Sequence, residues 1–393
     1  MKILLVHNTY QQAGGEDVVF EQERQLLERN GHQILTYVRS NHELDGQSAA
    51  KRVALVKNIV SADDSARAIR TILRTERPEI VHVHNTFLMI SPSIFAVCRE
   101  EQVPVLQTLH NYRLSCPAAS FYRDGSVCEE CTQHSLFRSI QHGCYRDSRF
   151  STAAVALMLQ VHRMKRTWQD SVSGYLALTE FARDKFVENG IPPEKIHVKP
   201  NFVYPDPGER STAGSFALFA GRLAEEKGLA TLLTAWSQLA RPIPLEIVGD
   251  GPLRAELESQ SEKMGLQQVT FRGRLSSAET RARMKQAALL IVPSVWFETF
   301  SLNIAEAFAC GTPVLCSRLG AMRENVADQR TGLHFTPGDA ADLAEKVEWA
   351  WGHSREMAAM GKEARREYEL RYTPERNYSL LMKIYRQTVN AHA

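Results

Sequence analysis

The sequence predicts an α/β protein with two Rossmann-like domains, each built on a parallel sheet. In both halves of the chain, short apolar runs alternate with longer segments of helical periodicity, which is typical of strand–helix–strand units. A segment rich in Pro, Gly and Ser, 200–215, separates the two halves. At 393 residues the chain is also too long for one ordinary core. Because open parallel sheets bind ligands at the carboxyl ends of their strands, we expect the two domains to face each other across a cleft.

The first domain is predicted over residues 1–205. Its first strand is the buried run KILLVHN, which the Gly14–Gly15 pair separates from an amphipathic helix that ends at Gly31. The alternation stops at about Asn111 and resumes at about Gly174, so 111–173 is predicted to be an insertion. Further strands of this domain are predicted in the runs HQILTYV, EIVHVHN and PVLQTLH.

The second domain is predicted over residues 206–372. Its strands are expected in the runs SFALFAG, LEIVGDG, VTFRG, ALLIVPS, PVLCSR and GLHFTP, with helical segments between them. Residues 373–393 are predicted to form a C-terminal helix that packs back on the first domain.

Composition excludes several classes of protein. The 47 Lys and Arg residues nearly balance the 45 Asp and Glu residues, so a nucleic-acid partner is not expected. The N-terminus lacks the pattern of a signal peptide, and no apolar stretch is long enough to span a bilayer. We therefore expect a cytoplasmic protein, whose seven cysteines are thiols or metal ligands.

Two cations and two carboxylates mark the second domain. Arg222 and Lys227 directly follow a predicted strand, and such a pair can hold a diphosphate without a divalent metal. Glu298 lies in a loop after the run ALLIVPS, and Glu306 lies eight positions later on a predicted helix. Carboxylates accept hydrogen bonds from ribose and sugar hydroxyls. Backbone N–H groups at the start of that helix are expected to face the phosphates; they belong to Thr299, Phe300, Ser301 and Leu302.

The stretches FAGRLAEEKG, IVGDG, FETFSLNIAEAFACGTPV and TGLHF resemble the retaining, metal-independent glycosyltransferases of family 4, which have the two-domain GT-B fold. The resemblance covers essentially the whole chain and is most specific over 215–337. It implies that Arg222 and Lys227 bind the diphosphate of a nucleotide sugar. It further implies that Glu306 binds the ribose, that Glu298 contacts the transferred sugar, and that backbone around Gly273 and Leu275 meets the base.

The first domain supplies further candidates. Gly14 and Gly15 match the glycine pair that this family places near the donor phosphates, where the lack of a Cβ allows close backbone approach. His110 ends a predicted strand, and the resemblance implies that it lies beside the reacting sugar. Asn111 follows it where the family more often has Asp, so the role of this position stays open. His84, also at a strand end, is expected to support His110.

The predicted reaction moves a sugar from a UDP- or GDP-sugar to an acceptor hydroxyl with retained anomeric configuration. The sequence offers no evident carboxylate nucleophile, which favours front-face attack assisted by the departing phosphate. Replacing Glu298 or Lys227 by alanine is expected to reduce turnover and leave folding intact. The alternatives are a synthase that uses a sugar-phosphate acceptor, a non-catalytic nucleotide-sugar-binding protein, and an epimerase of the same fold.

The insertion contains four cysteines in the pattern C-x11-C-x2-C-x12-C. Such a set is able to form a structural zinc site, with His134 or His142 as alternatives for one ligand. An iron–sulfur cluster and plain thiols are the other interpretations. The predicted ligands are Cys116, Cys128, Cys131 and Cys144.

The insertion ends with FSTAAVALMLQVHRMKRTW, residues 150–168, which joins an apolar stretch to four basic or histidine side chains. This pattern is consistent with a helix on an anionic membrane surface and equally with a core helix that has a solvated basic end. The resemblance favours an acceptor saccharide linked to polyprenyl diphosphate, in the synthesis of cell-surface polysaccharide.

Overall fold

The computed structural model describes residues 1–11, 14–44 and 56–392. The chain divides into two compact units. The first comprises Met1–Phe121, Glu129–Pro200 and the chain from Asn377 onward, and the second comprises Tyr122–Cys128 and Asn201–Arg376. Each unit contains a six-stranded parallel sheet, which confirms the predicted fold class.

The sheet of the first unit has the strand order β2-β1-β3-β4-β7-β8. Its strands are β1 Lys2–Thr9, β2 Gln33–Ser40, β3 Ile80–Val83, β4 Val105–Thr108, β7 Gly174–Ala177 and β8 Ile196–Val198. Its longer helices are Gly15–Arg29, Asp63–Glu76, Ser93–Glu100, Arg149–Met164 and Glu180–Glu188.

The strands form where the chain has apolar runs because both faces of this sheet are covered. All of Ile3 to Val6 in β1 are fully buried, as expected for a parallel sheet with helices on both sides. The helix Gly15–Arg29 buries Phe20 and Leu27, seven positions apart and therefore on one face. Its first turn carries Asp17, whose carboxylate accepts a hydrogen bond from the N–H of Gly14 at 2.7 Å.

The predicted insertion forms short elements around one long helix. A two-stranded hairpin, β5 Tyr122–Arg123 with β6 Ser126–Val127, falls in the segment grouped with the second unit. The helix Arg149–Met164 occupies most of the apolar and basic stretch, and the Ser148 side chain caps it by accepting from the N–H of Ser151 at 3.2 Å. Three short helices complete the insertion: Glu130–Gln133, Phe137–His142 and Thr167–Asp170.

The second unit has the strand order β11-β10-β9-β12-β13-β14. These strands are β9 Ala217–Ala220, β10 Leu245–Val248, β11 Val269–Gly273, β12 Leu289–Val292, β13 Val314–Ser317 and β14 Gly332–Phe335. The helices are Leu229–Gln238, Arg254–Lys263, Ser277–Gln286, Leu302–Ala309, Gly320–Asn325, Ala340–Gly352 and Ser354–Arg371.

Glycines allow close backbone contacts beside β9. A Cβ on Gly249 would lie 1.8 Å from the carbonyl oxygen of Gly221, and one on Gly228 would lie 2.0 Å from that of Pro293. Both glycines also have positive φ, +138° and +70°. The first contact brings the end of β10 against the loop after β9, and the second brings that loop against the end of β12.

The C-terminal helix, Pro374–His392, adds apolar side chains to the core of the first unit. Leu381 and Tyr385 are fully buried there, in one cluster with Ile3 and Leu5 of β1. Among the described helices, none combines the length and the hydropathy that a membrane crossing requires.

Candidate active site

The strand order of the second sheet reverses between β9 and β12. In sheets of this kind the loops on either side of such a reversal diverge and leave a crevice at the carboxyl ends of the strands. Arg222 and Lys227 follow β9, and Glu298 follows β12, so the predicted cations and one predicted carboxylate lie on the two sides of this switch point.

Lys227 and Glu298 form an ion pair at this switch point. Lys227 Nζ lies 2.8 Å from Glu298 Oε1, and the Glu298 side chain is only 7% exposed. Ser294 Oγ donates to the same carboxylate oxygen at 2.7 Å, and Trp296 Nε1 lies 3.4 Å from it. Burial alone would raise the pKa of Glu298, but Lys227 and these donors hold it below its ordinary value. Glu298 is therefore an ionised carboxylate with a fixed orientation.

Arg222 is exposed in the loop between β9 and Lys227, and the ion pairs found among the described residues do not include it. Nearby, the helix Leu302–Ala309 begins with Ser301 at its N-cap, and no side chain caps it. Asn303 Nδ2 donates to the carbonyl of Ala220, which ties this helix start to the end of β9. An exposed guanidinium and a helix N-terminus at one switch point suit an anionic ligand.

The neighbouring loop residues divide between packing and exposure. Phe300 is buried, with its ring 5.7 Å from that of Tyr372, so only its backbone is placed to serve a ligand. Thr299 and Leu302 are half-buried. At the end of β11, Gly273 has a φ of +71° and accepts a hydrogen bond from the N–H of Gly249 at 2.8 Å.

Glu306 has a partner that sequence reasoning missed. Its Oε1 lies 3.1 Å from Arg281 Nη1, and both side chains are nearly buried. Burial raises the pKa of Glu306, and Arg281 counteracts only part of that effect. Nothing in the local pattern around Arg281 indicated this pairing, because it lies on a separate helix. Leu275, the other residue predicted to meet the base, lies two positions beyond the end of β11 and is half-buried.

The first sheet has its own switch point, between β1 and β3. The Gly14–Gly15 pair follows β1 and starts a helix, and a Cβ on either glycine would meet no atom within 4 Å. His84 and Asn85 follow β3, and His110 follows β4, the next strand along. The residues predicted for this domain thus gather at one edge of the sheet.

Glu16, to which the sequence assigned no role, joins the two sides of this edge. Its carboxylate accepts from Asn85 Nδ2 at 3.2 Å and lies 3.4 Å from Asn111 Nδ2. Burial raises the pKa of Glu16 to about 7, although a hydrogen bond with Tyr10 opposes the shift. Its place directly after the glycine pair was the only sequence signal. A carboxyl group that titrates near neutral pH is suited to proton exchange with a ligand.

His110 is half-buried and contacts His84. The two rings lie edge to edge, at 22° to each other with centroids 5.2 Å apart, and His110 Nε2 lies 3.0 Å from His84 Nδ1. Burial lowers the pKa of both imidazoles, that of His84 to about 3. His84 is thus in direct contact with His110, as its expected supporting role requires.

The four cysteines of the insertion are present as thiols, of which Cys116 is buried and the others half-buried. In the described part of the chain, the group of three potential metal ligands within 4.8 Å of one another is Glu23, His82 and His84, and no three of the cysteines form such a group. Cys128 falls in the segment grouped with the second unit, and the other three fall in the first. The zinc site stays a prediction.

Two family models match consecutive parts of the chain. The model described as Glycosyltransferase Family 4 matches residues 13–206, and the model described as Glycosyl transferases group 1 matches residues 206–367. The first of these ranges contains the glycine pair and His110, and the second contains all the predicted donor-binding residues of the second unit.

Individual relatives are distant. The D-rhamnosyltransferase WbpZ of Pseudomonas aeruginosa is 31% identical over 160 residues, 40% of this chain and 42% of that protein. The O-antigen chain mannosyltransferase C of Escherichia coli is 27% identical over 179 residues, 45% of this chain and 48% of that protein. These alignments span less than half of each relative.

Among solved structures, that of Anabaena Alr3699/HepE in complex with UDP aligns with 98% of this chain and 100% of its own, with a TM-score of 0.69 and 16% identity. At this identity the likeness establishes the fold, which is GT-B. Together with the two family models, it makes the chain a GT-B glycosyltransferase.

Proposed function

We propose that this protein is a retaining, metal-independent glycosyltransferase that moves a sugar from a nucleotide-diphosphate sugar to a saccharide hydroxyl. The observation that carries the proposal is the arrangement at the switch point of the second sheet. There the Lys227–Glu298 ion pair, at 2.8 Å, lies with the exposed Arg222 and an uncapped helix N-terminus. This combination offers positive charge for a diphosphate and an oriented carboxylate for sugar hydroxyls.

Each residue of the site has one role in the proposal. Arg222 and Lys227 bind the diphosphate, with help from the backbone N–H groups at the start of the helix Leu302–Ala309. Glu298 accepts hydrogen bonds from the transferred sugar, and Glu306 accepts them from the ribose. The backbone from Gly273 to Leu275 meets the base. The donor is a UDP- or GDP-sugar, and UDP is the nucleotide bound in the Anabaena complex.

The proposed reaction breaks the bond between the anomeric carbon and the diphosphate oxygen. Negative charge develops on the leaving diphosphate, and the two cations stabilise it in place of a metal ion. The acceptor hydroxyl attacks from the same face of the sugar, and its proton passes to the departing phosphate, so that configuration is retained. His110 of the first unit is proposed to lie beside the sugar during this step.

The test is release of nucleotide diphosphate from a panel of UDP- and GDP-sugars by the purified protein in EDTA. We expect turnover with at least one donor, retention of the anomeric configuration in the product, and a loss of about 100-fold or more in kcat for Arg222→Ala. Lys346→Ala, a lysine change on the surface of the same unit, is the matched control. An inverted product, or activity that appears only with added Mg²⁺, would contradict the proposal.

The acceptor is proposed to be a saccharide carried on a lipid. The helix Arg149–Met164 exposes Phe150, Leu157 and Met164 at 66%, 49% and 74%, and these residues lie seven positions apart on one face. No Asp or Glu occurs from residue 149 to 166. An exposed apolar stripe without acidic residues and with arginine and lysine at its ends fits the surface of an anionic bilayer.

Flotation with vesicles tests this contact. We expect the protein to float with vesicles that contain phosphatidylglycerol and not with phosphatidylcholine vesicles, and Leu157→Ser combined with Met164→Ser to abolish flotation. Leu370→Ser, at a side chain 63% exposed in the second unit, is the control and should float normally. If the double variant floats as well as the wild type, this face of the helix is not the membrane contact.

A further inference from the structure

A row of buried polar side chains crosses the first unit and ends at His110. Lys199 Nζ donates to Glu23 Oε2 at 2.7 Å. Glu23 Oε1 lies 3.2 Å from His84 Nε2, which is ion-pair distance, although the contact does not meet the geometry of a hydrogen bond. His84 Nδ1 then meets His110 Nε2 at 3.0 Å. Lys199, Glu23 and His84 are at most 3% exposed, whereas His110 is half-buried.

The charges in this row determine where the protons lie. Burial disfavours ionisation of Glu23, but Lys199 and His82 more than offset it and hold the pKa of this carboxyl well below its usual range. An ionised carboxylate only accepts hydrogen bonds, so the nitrogen that faces it, His84 Nε2, carries the proton. Because His84 is neutral, its Nδ1 is an acceptor. The proton between the two imidazoles therefore belongs to His110 Nε2.

We propose that Lys199, Glu23 and His84 are positioning residues that hold His110 as the neutral tautomer with its proton on Nε2. His110 Nδ1 is then a hydrogen-bond acceptor, suited to a hydroxyl of the bound saccharide. The role of His110 in turnover rests on the proposed function. The tautomer does not depend on it, because it follows from the contacts and charges of these buried residues.

A purely structural reading explains the row less well. A buried ion pair contributes little net stability compared with apolar side chains of similar volume. Some buried side chains of this interior are held by protein partners on both sides. His82, for example, lies 2.7 Å from both Tyr385 Oη and Thr108 Oγ1. The row from Lys199 reaches the half-buried His110, which follows β4 at the carboxyl ends of the strands, where the residues predicted for this domain gather.

The same geometry argues against a metal at Glu23, His82 and His84, although their ligand atoms lie within 4.8 Å of one another. The ammonium of Lys199 already neutralises the carboxylate, at 2.7 Å. Both nitrogens of His82 are also within hydrogen-bond distance of hydroxyl groups. These partners already occupy the ligand atoms that a metal would need on Glu23 Oε2 and His82.

The tautomer is measured directly by ¹⁵N NMR of the full-length protein labelled at histidine. At neutral pH we expect His110 to show a protonated Nε2 and an unprotonated Nδ1, with signals assigned through His110→Asn. In His84→Leu this pattern should be lost, because the acceptor of the Nε2 proton is gone. A proton on Nδ1, or on both nitrogens, in the wild type would overturn the proposal. No substrate is needed, so the result does not depend on the proposed function.

Kinetics test the role in turnover. In His84→Asn the amide oxygen is placed to replace Nδ1 as the acceptor, whereas His84→Leu has no acceptor. We expect kcat to fall by about 10- to 100-fold in His84→Leu and much less in His84→Asn, with the KM for the nucleotide sugar little changed. His162→Asn, at another buried histidine of the same unit, controls for loss of packing.

Equal losses of kcat in the Asn and Leu variants, or a folded Leu variant with wild-type kcat, would overturn the positioning role. If the wild type itself transfers no sugar from any donor, the proposed function fails, and the NMR result still decides the tautomer.

Discussion

Replacing Lys227 by alanine is expected to destabilise the protein and not only to remove a contact with the donor. The change leaves the Glu298 carboxylate buried and without its cationic partner, while Ser294 and Trp296 still lie 2.7 and 3.4 Å from it. Breaking a buried ion pair by removing one partner costs about 3–5 kcal/mol. Lys227 is itself 22% exposed, which lets water reach the vacated side, so the loss should lie near the lower end, at about 3 kcal/mol. The burial of Glu298 thus alters the expectation from sequence that folding is unaffected.

The assay is urea denaturation followed by tryptophan fluorescence, for which Trp296 is a local reporter, with its ring centroid 5.2 Å from Lys227 Nζ. Adding Glu298→Gln to Lys227→Ala removes the buried negative charge of Glu298 and should restore most of the lost free energy of unfolding. Lys346→Ala is the control. It removes a lysine that is 34% exposed and 3.7 Å from Asp342, and it should cost less than about 1 kcal/mol.

The pH dependence provides a second check. Because the pKa of Glu298 is lower in the folded protein than in the unfolded chain, the pair stabilises the fold above the ordinary carboxyl pKa. That contribution disappears as the pH falls through the folded-state pKa. The difference between the wild type and Lys227→Ala should therefore shrink in acid. A Lys227→Ala protein as stable as the Lys346→Ala control at neutral pH, or a double variant less stable than Lys227→Ala, would refute the reasoning.

Three further predictions concern other parts of the molecule. The pKa of Glu16 is raised to about 7, so its contribution to the stability of the fold is present in acid and is lost as the pH rises through 7. From acid to mildly alkaline pH, the free energy of unfolding of Glu16→Gln should therefore rise relative to that of the wild type by up to about 3 kcal/mol. Melting temperatures of the two proteins that differ by the same amount at every pH would contradict this. Gly249→Ala places a Cβ 1.8 Å from the carbonyl of Gly221 and should lower the free energy of unfolding by about 2 kcal/mol or more. In Gly265→Ala the new Cβ has no atom within 4 Å, so this variant should lose only about 1 kcal/mol, from backbone strain. Equal melting temperatures of the two variants would count against the close contact at Gly249. Protein purified without added metal should contain zinc that Cys131→Ser loses, and the absence of both zinc and iron in the wild type would remove the predicted site.

The fold was predictable because its determinants are local. The central strands of a parallel sheet are buried on both faces and have apolar sequences, and the connecting helices carry their own periodicity. That Lys227 and Glu298 lie close together could also be predicted from the sequence. Both residues follow buried strands, and the carboxyl ends of parallel strands lie at the same edge of the sheet.

Pairings between residues far apart in the chain could not be predicted from the sequence. Lys199 and Glu23 are 176 positions apart, and neither stands in a pattern that distinguishes it from a surface residue. The same holds for Arg281 and Glu306, 25 positions apart on separate helices. Burial decides which charged residues must find partners, and burial of a single charged side chain depends on packing that only the folded chain defines.

The C-terminal helix has a consequence for biosynthesis. Leu381 and Tyr385 fill part of the interior that the first sheet needs, yet the ribosome adds them only after residues 201–376. The N-terminal half must therefore wait, with that apolar surface uncovered, while residues 201–376 emerge and are free to fold first. We therefore expect the second unit to fold before the first, which reverses the usual vectorial order, and a nascent chain stalled shortly before Asn377 to be a good target for chaperones.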